Sequence, residues 1–139
     1  MRKYIILLSS ILIQTCIGGL YAWSEFVPAL KSAHGLSTAQ TQIIFGVLIA
    51  VFTLSMVLAG RLMNRLGPAW IAAAGGVLFG GGYSVAAVSG GHFGLLLLGI
   101  GVIAGVGTGF CYVCPLTMCA KWFPRHKGLV TGIAVAGFG

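Results

Sequence analysis

Four long apolar runs, separated by short polar connections, dominate this sequence. The predicted membrane spans cover residues 4–26, 39–62, 69–88 and 93–122. About 20 residues of apolar helix cross the hydrocarbon core of a bilayer, and each run reaches that length. The sequence therefore predicts an all-α membrane protein. A fifth apolar stretch begins at Gly128, and its roughly 12 residues are too few to cross, so we expect an incomplete chain that ends within a helix.

The basic residues lie almost entirely on one side of the predicted topology. Of the eight Lys and Arg residues, only Lys31 falls in a connection of the opposite parity. The others precede the first span, or lie at or just beyond the ends of the second and the fourth: Arg2, Lys3, Arg61, Arg65, Lys121, Arg125 and Lys127. Basic residues in short loops resist translocation. We therefore expect a multi-pass protein of a bacterial cytoplasmic membrane, with its N-terminus in the cytoplasm.

The composition argues against soluble, nucleic-acid-binding and enzymatic functions. Charged residues make up 6 % of the chain, whereas soluble domains contain about 25 %. The net charge of +7 is divided among separate loops and forms no continuous basic face, so no nucleic-acid partner is expected. With one carboxylate side chain and no histidine in a span, the chain lacks the usual groups for acid–base catalysis. We expect a non-enzymatic protein with the lipid bilayer as a partner and no cofactor.

Two cysteines, Cys111 and Cys114, form a CxxC pair inside the fourth span. This spacing also occurs in redox and zinc sites. However, the three histidines all lie in connections, and a zinc site would need further ligands. Because cysteine packs well as a small apolar side chain, we predict that the pair has a packing role and that no metal is bound.

Glycines recur at four-residue spacing in the third and fourth spans, in a chain with 23 glycines. The glycines with this spacing are Gly76, Gly80, Gly101, Gly105 and Gly109. Lipid provides no hydrophobic force between helices, and small residues at this spacing let helix backbones approach closely. We predict that these five glycines lie at helix contacts.

Polar and amphipathic side chains within the spans are the candidates for function. Tyr112 lies deep in its span, where a buried phenol needs a hydrogen-bonding partner or a substrate. Tyr21 and Trp23 lie in the outer half of the first span, where aromatic belts at the membrane surface are also common. Gln42 lies near the start of the second span, and it either faces a cavity or reaches water at the membrane edge.

Two further polar residues lie in the first span. Gln14 is near its middle, where an amide facing lipid would be costly, so it should either form an interhelical hydrogen bond or face a cavity. Glu25 is the only carboxylate and lies near the outer end. It is either an interfacial residue in contact with water or a group that acts in ion coupling or gating.

The connection between the second and third spans, GRLMNRLGP, is similar to the signature loop of the major facilitator superfamily. That loop has a glycine, then an acid, a base and a second glycine. Gly60, Arg65 and Gly67 match this pattern, and Arg61 lies in the same loop. Asn64 stands at the acidic position and keeps hydrogen bonding without the charge. The resemblance implies that the loop braces the inward gate of a transporter.

Three further stretches resemble a narrower branch, the oxalate/formate antiporter-like proteins related to monocarboxylate transporters. They are GGLYAWSEFVPAL, GVGTGFCYVCPL and KWFPRHKGLVTGIAVAGFG. The resemblance implies that the chain is part of the N-terminal six-helix half of a twelve-helix fold. The remaining helices of that fold are expected partners that this sequence does not contain. It also implies secondary active transport of small organic anions by alternating access around a site near the membrane midplane.

By position, the resemblance places Tyr21, Gln42 and Tyr112 at the substrate, with Trp23 beside them. Phenol and amide groups can donate hydrogen bonds to a carboxylate, while aromatic faces exclude water. The cationic residues that bind the anion in this family lie in the second half. The Lys and Arg residues of this chain lie outside the predicted spans or one residue from a span end, and none lies near the middle of a span.

Two other interpretations remain open from the sequence. A complete four-span exporter of lipophilic cations, acting as a dimer, would have a similar length and an essential glutamate in its first span. Against it, Glu25 lies near the outer end of that span and not deep within it. An inert, truncated membrane protein is also compatible with a chain that ends in half a helix.

Overall fold

The structure of residues 2–139, a computed structural model, consists of helices joined by short connections. In chain order these are α1 (Arg2–Ile17), a 3₁₀ segment (Gly18–Ala22), α2 (Trp23–His34), α3 (Thr38–Leu66), α4 (Pro68–Ala87), α5 (Phe93–Leu96), a π-helical segment (Leu97–Ala104), α6 (Gly105–Trp122) and α7 (Lys127–Ala136). Four continuous helical rods are long and apolar enough to cross a membrane: Arg2–His34, Thr38–Leu66, Pro68–Ala87 and Phe93–Trp122. These are the first to fourth spans, and α7 is a shorter apolar helix. The predicted all-α membrane fold is confirmed.

The first span is longer than its sequence suggests. The predicted span ends at residue 26, and a proline at position 28 disfavours further helix, yet α2 continues through Pro28 to His34. Proline removes the hydrogen bond to the carbonyl four residues earlier, which belongs to Ser24. Because Ser24 and Pro28 are both exposed, the freed carbonyl is not enclosed by the protein, and the helix tolerates the loss.

Local sequence signals begin the second and third spans. Ser37 caps the second span, since its hydroxyl accepts a hydrogen bond from the Gln40 backbone nitrogen at 3.2 Å. The Gln40 side chain accepts one in return from the Ser37 nitrogen at 2.9 Å, which completes a capping box. The second and third spans are joined by Gly67 alone, which has φ +85°, a conformation that favours glycine. Pro68 then occupies the first turn of the third span, where its missing N–H is not needed.

The fourth span is the centre of the bundle. Its most apolar window is 56 % buried within the protein, compared with 17–22 % for the other three spans. The main core includes Ile17 and Trp23 of the first span, Ile44 and Leu48 of the second, and Ile100 of the fourth. The less buried spans keep apolar side chains on their outer surfaces, as helices in contact with lipid do.

Glycines of the fourth span allow it to lie against the second. A Cβ added at Gly109 would be 2.7 Å from the Ser55 Cβ and 2.8 Å from the Phe52 carbonyl oxygen. Cβ atoms at Gly101 and Gly105 would also meet atoms of the second span, at 3.2 Å. These three predicted packing glycines therefore face a neighbouring helix.

The other two predicted packing glycines, Gly76 and Gly80, do not lie at a contact between the described helices. Both are exposed, and a Cβ added at either would meet nothing within 4 Å. The third span instead faces the fourth through Gly75 and Gly82, and a Cβ at Gly75 would lie 2.9 Å from the Cys111 backbone nitrogen. A seven-residue spacing places Gly75 and Gly82 on one face of the helix, whereas Gly76 is rotated about 100° away from that face.

Candidate functional site

Four aromatic rings from the first, second and fourth spans and the end of the chain form one cluster. The ring of Phe138 lies 5.2 Å from Tyr21 and 5.0 Å from Tyr112, both in T-shaped geometry. Phe52 lies 5.5 Å from Tyr112, with the ring planes at 89°. Edge-to-face contacts at these distances are favourable. We call Tyr21, Phe52, Tyr112 and Phe138 the aromatic cluster.

Close contact between the end of the chain and the first span positions the aromatic cluster. A Cβ added at Gly18 would be 3.0 Å from the carbonyl carbon of Phe138, and one at Gly137 would be 3.1 Å from the Thr15 hydroxyl oxygen. Glycine at both positions lets the two backbones approach closely enough for Phe138 to reach Tyr21. Tyr21 itself lies in the 3₁₀ segment that interrupts the first span.

The two phenols of the aromatic cluster differ in exposure. Tyr21 is 60 % exposed, whereas Tyr112 is half-buried and Phe138, which contacts both, is buried. A phenol can donate one hydrogen bond and also accept. Two phenols beside the same apolar ring could therefore donate to a small anion while the rings limit its contact with water.

Trp23 and Gln42, which were also placed at the substrate by resemblance, lie elsewhere. Trp23 is 7 % exposed and stacks on Phe45, with ring centroids 6.2 Å apart. Residues two apart on a helix point in nearly opposite directions, so Trp23 enters the core while Tyr21 faces outwards. Gln42 is exposed near the start of the second span. Of the four predicted residues, only Tyr21 and Tyr112 come together in the aromatic cluster.

Sequence reasoning missed Phe52 and Phe138. Phenylalanine is common in membrane spans, so neither residue stands out in an apolar run. Phe52 is separated from Tyr112 by 60 residues of sequence, and only the packing of the second span against the fourth brings the rings together. The glycines on either side of Phe138 are the one local signal, since Gly137 permits the close approach to the first span.

Gln14 is fully enclosed by the described helices. Its side chain is 0 % exposed, and neither amide atom has a hydrogen-bonding partner within residues 2–139. The interhelical hydrogen bond considered from the sequence is therefore not formed. An enclosed amide without partners destabilises a fold, because it loses its hydrogen bonds to solvent and gains none in return.

Replacing Gln14 by methionine should stabilise the protein by about 1–3 kcal/mol, since a side chain of similar length removes both unpartnered groups. The free energy of unfolding in detergent titrated with sodium dodecyl sulfate would measure this change. Gln42→Met is the matched control, because Gln42 is exposed and should show little effect. A less stable Gln14→Met protein would mean that the amide has a partner, and would contradict the prediction.

Glu25 lies in the first turn of α2 and is exposed. A carboxylate there interacts favourably with the partial positive charge of a helix N-terminus. Within residues 2–139, Glu25 forms no ion pair. Its role in ion coupling or gating remains a prediction.

The signature-loop residues lie at the end of the second span. Arg61, Asn64 and Arg65 are exposed along an open groove of this helix. Arg65 is in the last turn, where a cation stabilises the free carbonyls of the helix end. A Cβ at Gly60 would meet nothing within 4 Å, whereas Gly67 makes the turn with its positive φ. The gate-bracing role of the loop remains a prediction.

The CxxC pair contacts the backbone of the third span. The Cys111 thiol lies 3.7 Å from the Ala72 carbonyl oxygen, and the Cys114 thiol lies 3.4 Å from that of Pro68. Both cysteines are free and buried. Within residues 2–139, no three His, Cys, Asp or Glu side chains are grouped so that they could hold a metal ion. These contacts support a packing role.

Comparison with known proteins agrees with this architecture. Residues 5–139 match the profile of the Major Facilitator Superfamily. The chain is 33 % identical over 137 residues to the uncharacterized MFS-type transporter YhjX of Escherichia coli (strain K12), covering 99 % of this chain and 34 % of that protein. It is 25 % identical over 151 residues to the oxalate:formate antiporter of Oxalobacter formigenes, covering 99 % and 33 %. Apicoplast pyruvate carrier 1 of Toxoplasma gondii is 40 % identical over 90 residues, covering 65 % and 16 %.

The fold and the match define a multi-pass membrane protein of a transporter family. The chain belongs to the major facilitator superfamily. It spans about a third of the length of YhjX and of the antiporter. The match to this superfamily argues against the alternative of a four-span exporter of lipophilic cations of the small multidrug type.

Proposed function

We propose that this chain is the first part of a secondary active transporter that carries small organic anions of the monocarboxylate or oxalate/formate class by alternating access. Further helices of the same protein would complete the site and supply its cationic groups. The chain would lie in a bacterial cytoplasmic membrane with its N-terminus in the cytoplasm, as the distribution of basic residues favours.

The observation that carries the proposal is the aromatic cluster. Within it, Tyr21 and Tyr112 place two phenols beside the same ring, that of Phe138. Tyr21 is 60 % exposed although it lies well inside the first span. A phenol that faced lipid at this depth would be energetically unfavourable. A phenol that faced a cavity could form hydrogen bonds with a polar ligand. We propose that Tyr21 and Tyr112 donate hydrogen bonds to the carboxylate of the substrate.

The names of the relatives favour the same chemistry. Two similar proteins are named for the carriage of oxalate and formate or of pyruvate, and monocarboxylate transporter 7 of Homo sapiens is 28 % identical over 120 residues. All these anions are small and carry a carboxylate. A site with phenol donors and apolar walls suits the carboxylate and the small carbon skeleton they share.

Uptake by the full-length protein that contains this segment tests the proposal. Proteoliposomes should accumulate at least one of labelled formate, oxalate or pyruvate well above protein-free liposomes. They should not accumulate a lipophilic cation such as tetraphenylphosphonium. Uptake of the cation but of none of the three anions would overturn the proposal.

A further inference from the structure

We infer that the start of the first span and the turn between the fourth span and α7 form a binding site for the phosphate headgroup of an anionic phospholipid. The site comprises Arg2, Lys3, Trp122, Arg125 and His126. It lies at the end of the bundle away from Glu25, and it is separate from the aromatic cluster.

Two adjoining pockets bring these residues together. Lys3 lines one pocket of about 320 Å³ together with Trp122, Arg125 and His126. Arg2 and Trp122 line a second pocket, whose remaining walls are two isoleucines of the first span. Because Trp122 lines both pockets, the two pockets share one residue, and together they bring basic residues of the first span and of the turn to the same end of the bundle.

Backbone hydrogen bonds shape the turn, and a buried cluster holds it against the first span. The His126 nitrogen donates a hydrogen bond to the Phe123 carbonyl oxygen at 3.1 Å, and the Phe123 nitrogen donates to Cys119 at 3.0 Å. Cys119 and Val130 belong to a buried cluster. Leu7 of the first span and Phe123 of the turn both pack against this cluster. The basic residues of the turn are therefore held beside Lys3 by a packed core.

Charge and polarity together favour a phospholipid. The only carboxylate side chain within residues 2–139, Glu25, lies in α2 toward the other end of the first span, so no acidic side chain of the described helices neutralises the basic cluster. Arg and Lys are the residues that bind phosphate groups, and tryptophan is enriched at the level of lipid headgroups. The second pocket is lined by Ile5 and Ile6, which offer an apolar surface to the acyl chain below the headgroup.

Photo-cross-linking in the full-length protein tests this site. The photoreactive residue p-benzoylphenylalanine would replace Trp122, or Trp70 as the control, because Trp70 is 74 % exposed in the first turn of the third span. The protein would be placed in vesicles of phosphatidylcholine with a minor fraction of phosphatidylglycerol. We expect the ratio of phosphatidylglycerol to phosphatidylcholine adducts at position 122 to exceed that at position 70 by about fivefold or more, the factor for one basic residue near an anionic surface.

Variants that each remove one charge then show which side chains cause the preference for phosphatidylglycerol. Lys3→Gln and Arg125→Gln should each lower the adduct ratio at position 122 by about fivefold. Arg61→Gln, which removes an exposed charge from the end of the second span, should leave that ratio unchanged. All three residues are exposed, so these variants should fold.

Three outcomes would overturn the inference. Equal adduct ratios at positions 122 and 70 would mean that there is no specific site. An equal loss from Arg61→Gln would mean that the positive surface acts diffusely. An adduct ratio at position 122 that Lys3→Gln and Arg125→Gln both leave unchanged would mean that these charges do not bind the headgroup.

Discussion

Replacing Tyr112 by phenylalanine is expected to lower kcat/KM for uptake of a small carboxylate by roughly 10- to 100-fold. A hydrogen bond to a charged group contributes about 1.5–3 kcal/mol, and the substitution removes one such donor. The ring and its T-shaped contacts with Phe52 and Phe138 are retained, so the packing of the aromatic cluster should survive. Initial rates of labelled anion uptake into proteoliposomes, at a range of concentrations, would give the change.

Tyr21→Phe should act in the same direction, since its ring also contacts Phe138. Tyr83→Phe is the matched control, because this phenol belongs to the third span and packs against Phe79 at 5.0 Å. It should leave uptake nearly unchanged. If Tyr112→Phe and Tyr83→Phe transport equally well, the phenol of Tyr112 does not contact the substrate, and the site lies elsewhere.

Leucine at Gly107 is expected to prevent the third and fourth spans from packing, and so to destabilise the bundle by about 3 kcal/mol or more. A Cβ at this position would be 2.7 Å from the Gly75 carbonyl oxygen and 2.9 Å from the Phe79 Cα. Overpacking usually costs about 1–3 kcal/mol when side chains can move aside. Here the obstructing atoms belong to the backbone, so the two helices must separate.

Gly76→Leu is the control for that substitution. Gly76 lies in the third span next to Gly75, but a Cβ there would meet nothing within 4 Å. The control should keep its stability to within about 0.5 kcal/mol, as expected for a surface change. Monodispersity on size-exclusion chromatography and resistance to sodium dodecyl sulfate would measure both variants. A stable Gly107→Leu protein would show that the third and fourth spans do not pack as closely as described.

Sequence reasoning worked where the physical cause is local. The apolar runs predict the four spans, because a helix in lipid must be apolar along its length. Ser37 as a helix cap and Gly67-Pro68 as a turn follow from the hydrogen-bonding and φ preferences of these residues. The same reasoning failed at Pro28, because the effect of a proline depends on whether the freed carbonyl is enclosed by neighbours.

The candidate site was only half predictable. Tyr21 and Tyr112 are noticeable because a phenol is costly in lipid, whereas Phe52 and Phe138 look like ordinary apolar residues. Trp23 was placed beside Tyr21 by the family resemblance. The helix geometry separates them, because two residues correspond to about 200° of rotation. Gln14 was expected either to form an interhelical hydrogen bond or to face a cavity, and its neighbours enclose it without providing a partner.

The sequence by itself determined that the chain is a membrane protein, that it has four spans, and which family it belongs to. These properties depend on hydrophobicity along the chain and on local motifs. Only the tertiary structure decided which glycines lie at helix contacts, that Trp23 faces the core, and that four distant aromatic rings meet. The physical reason is that one residue shifts the direction of a side chain by about 100°, so facing partners are fixed by helix rotation and packing.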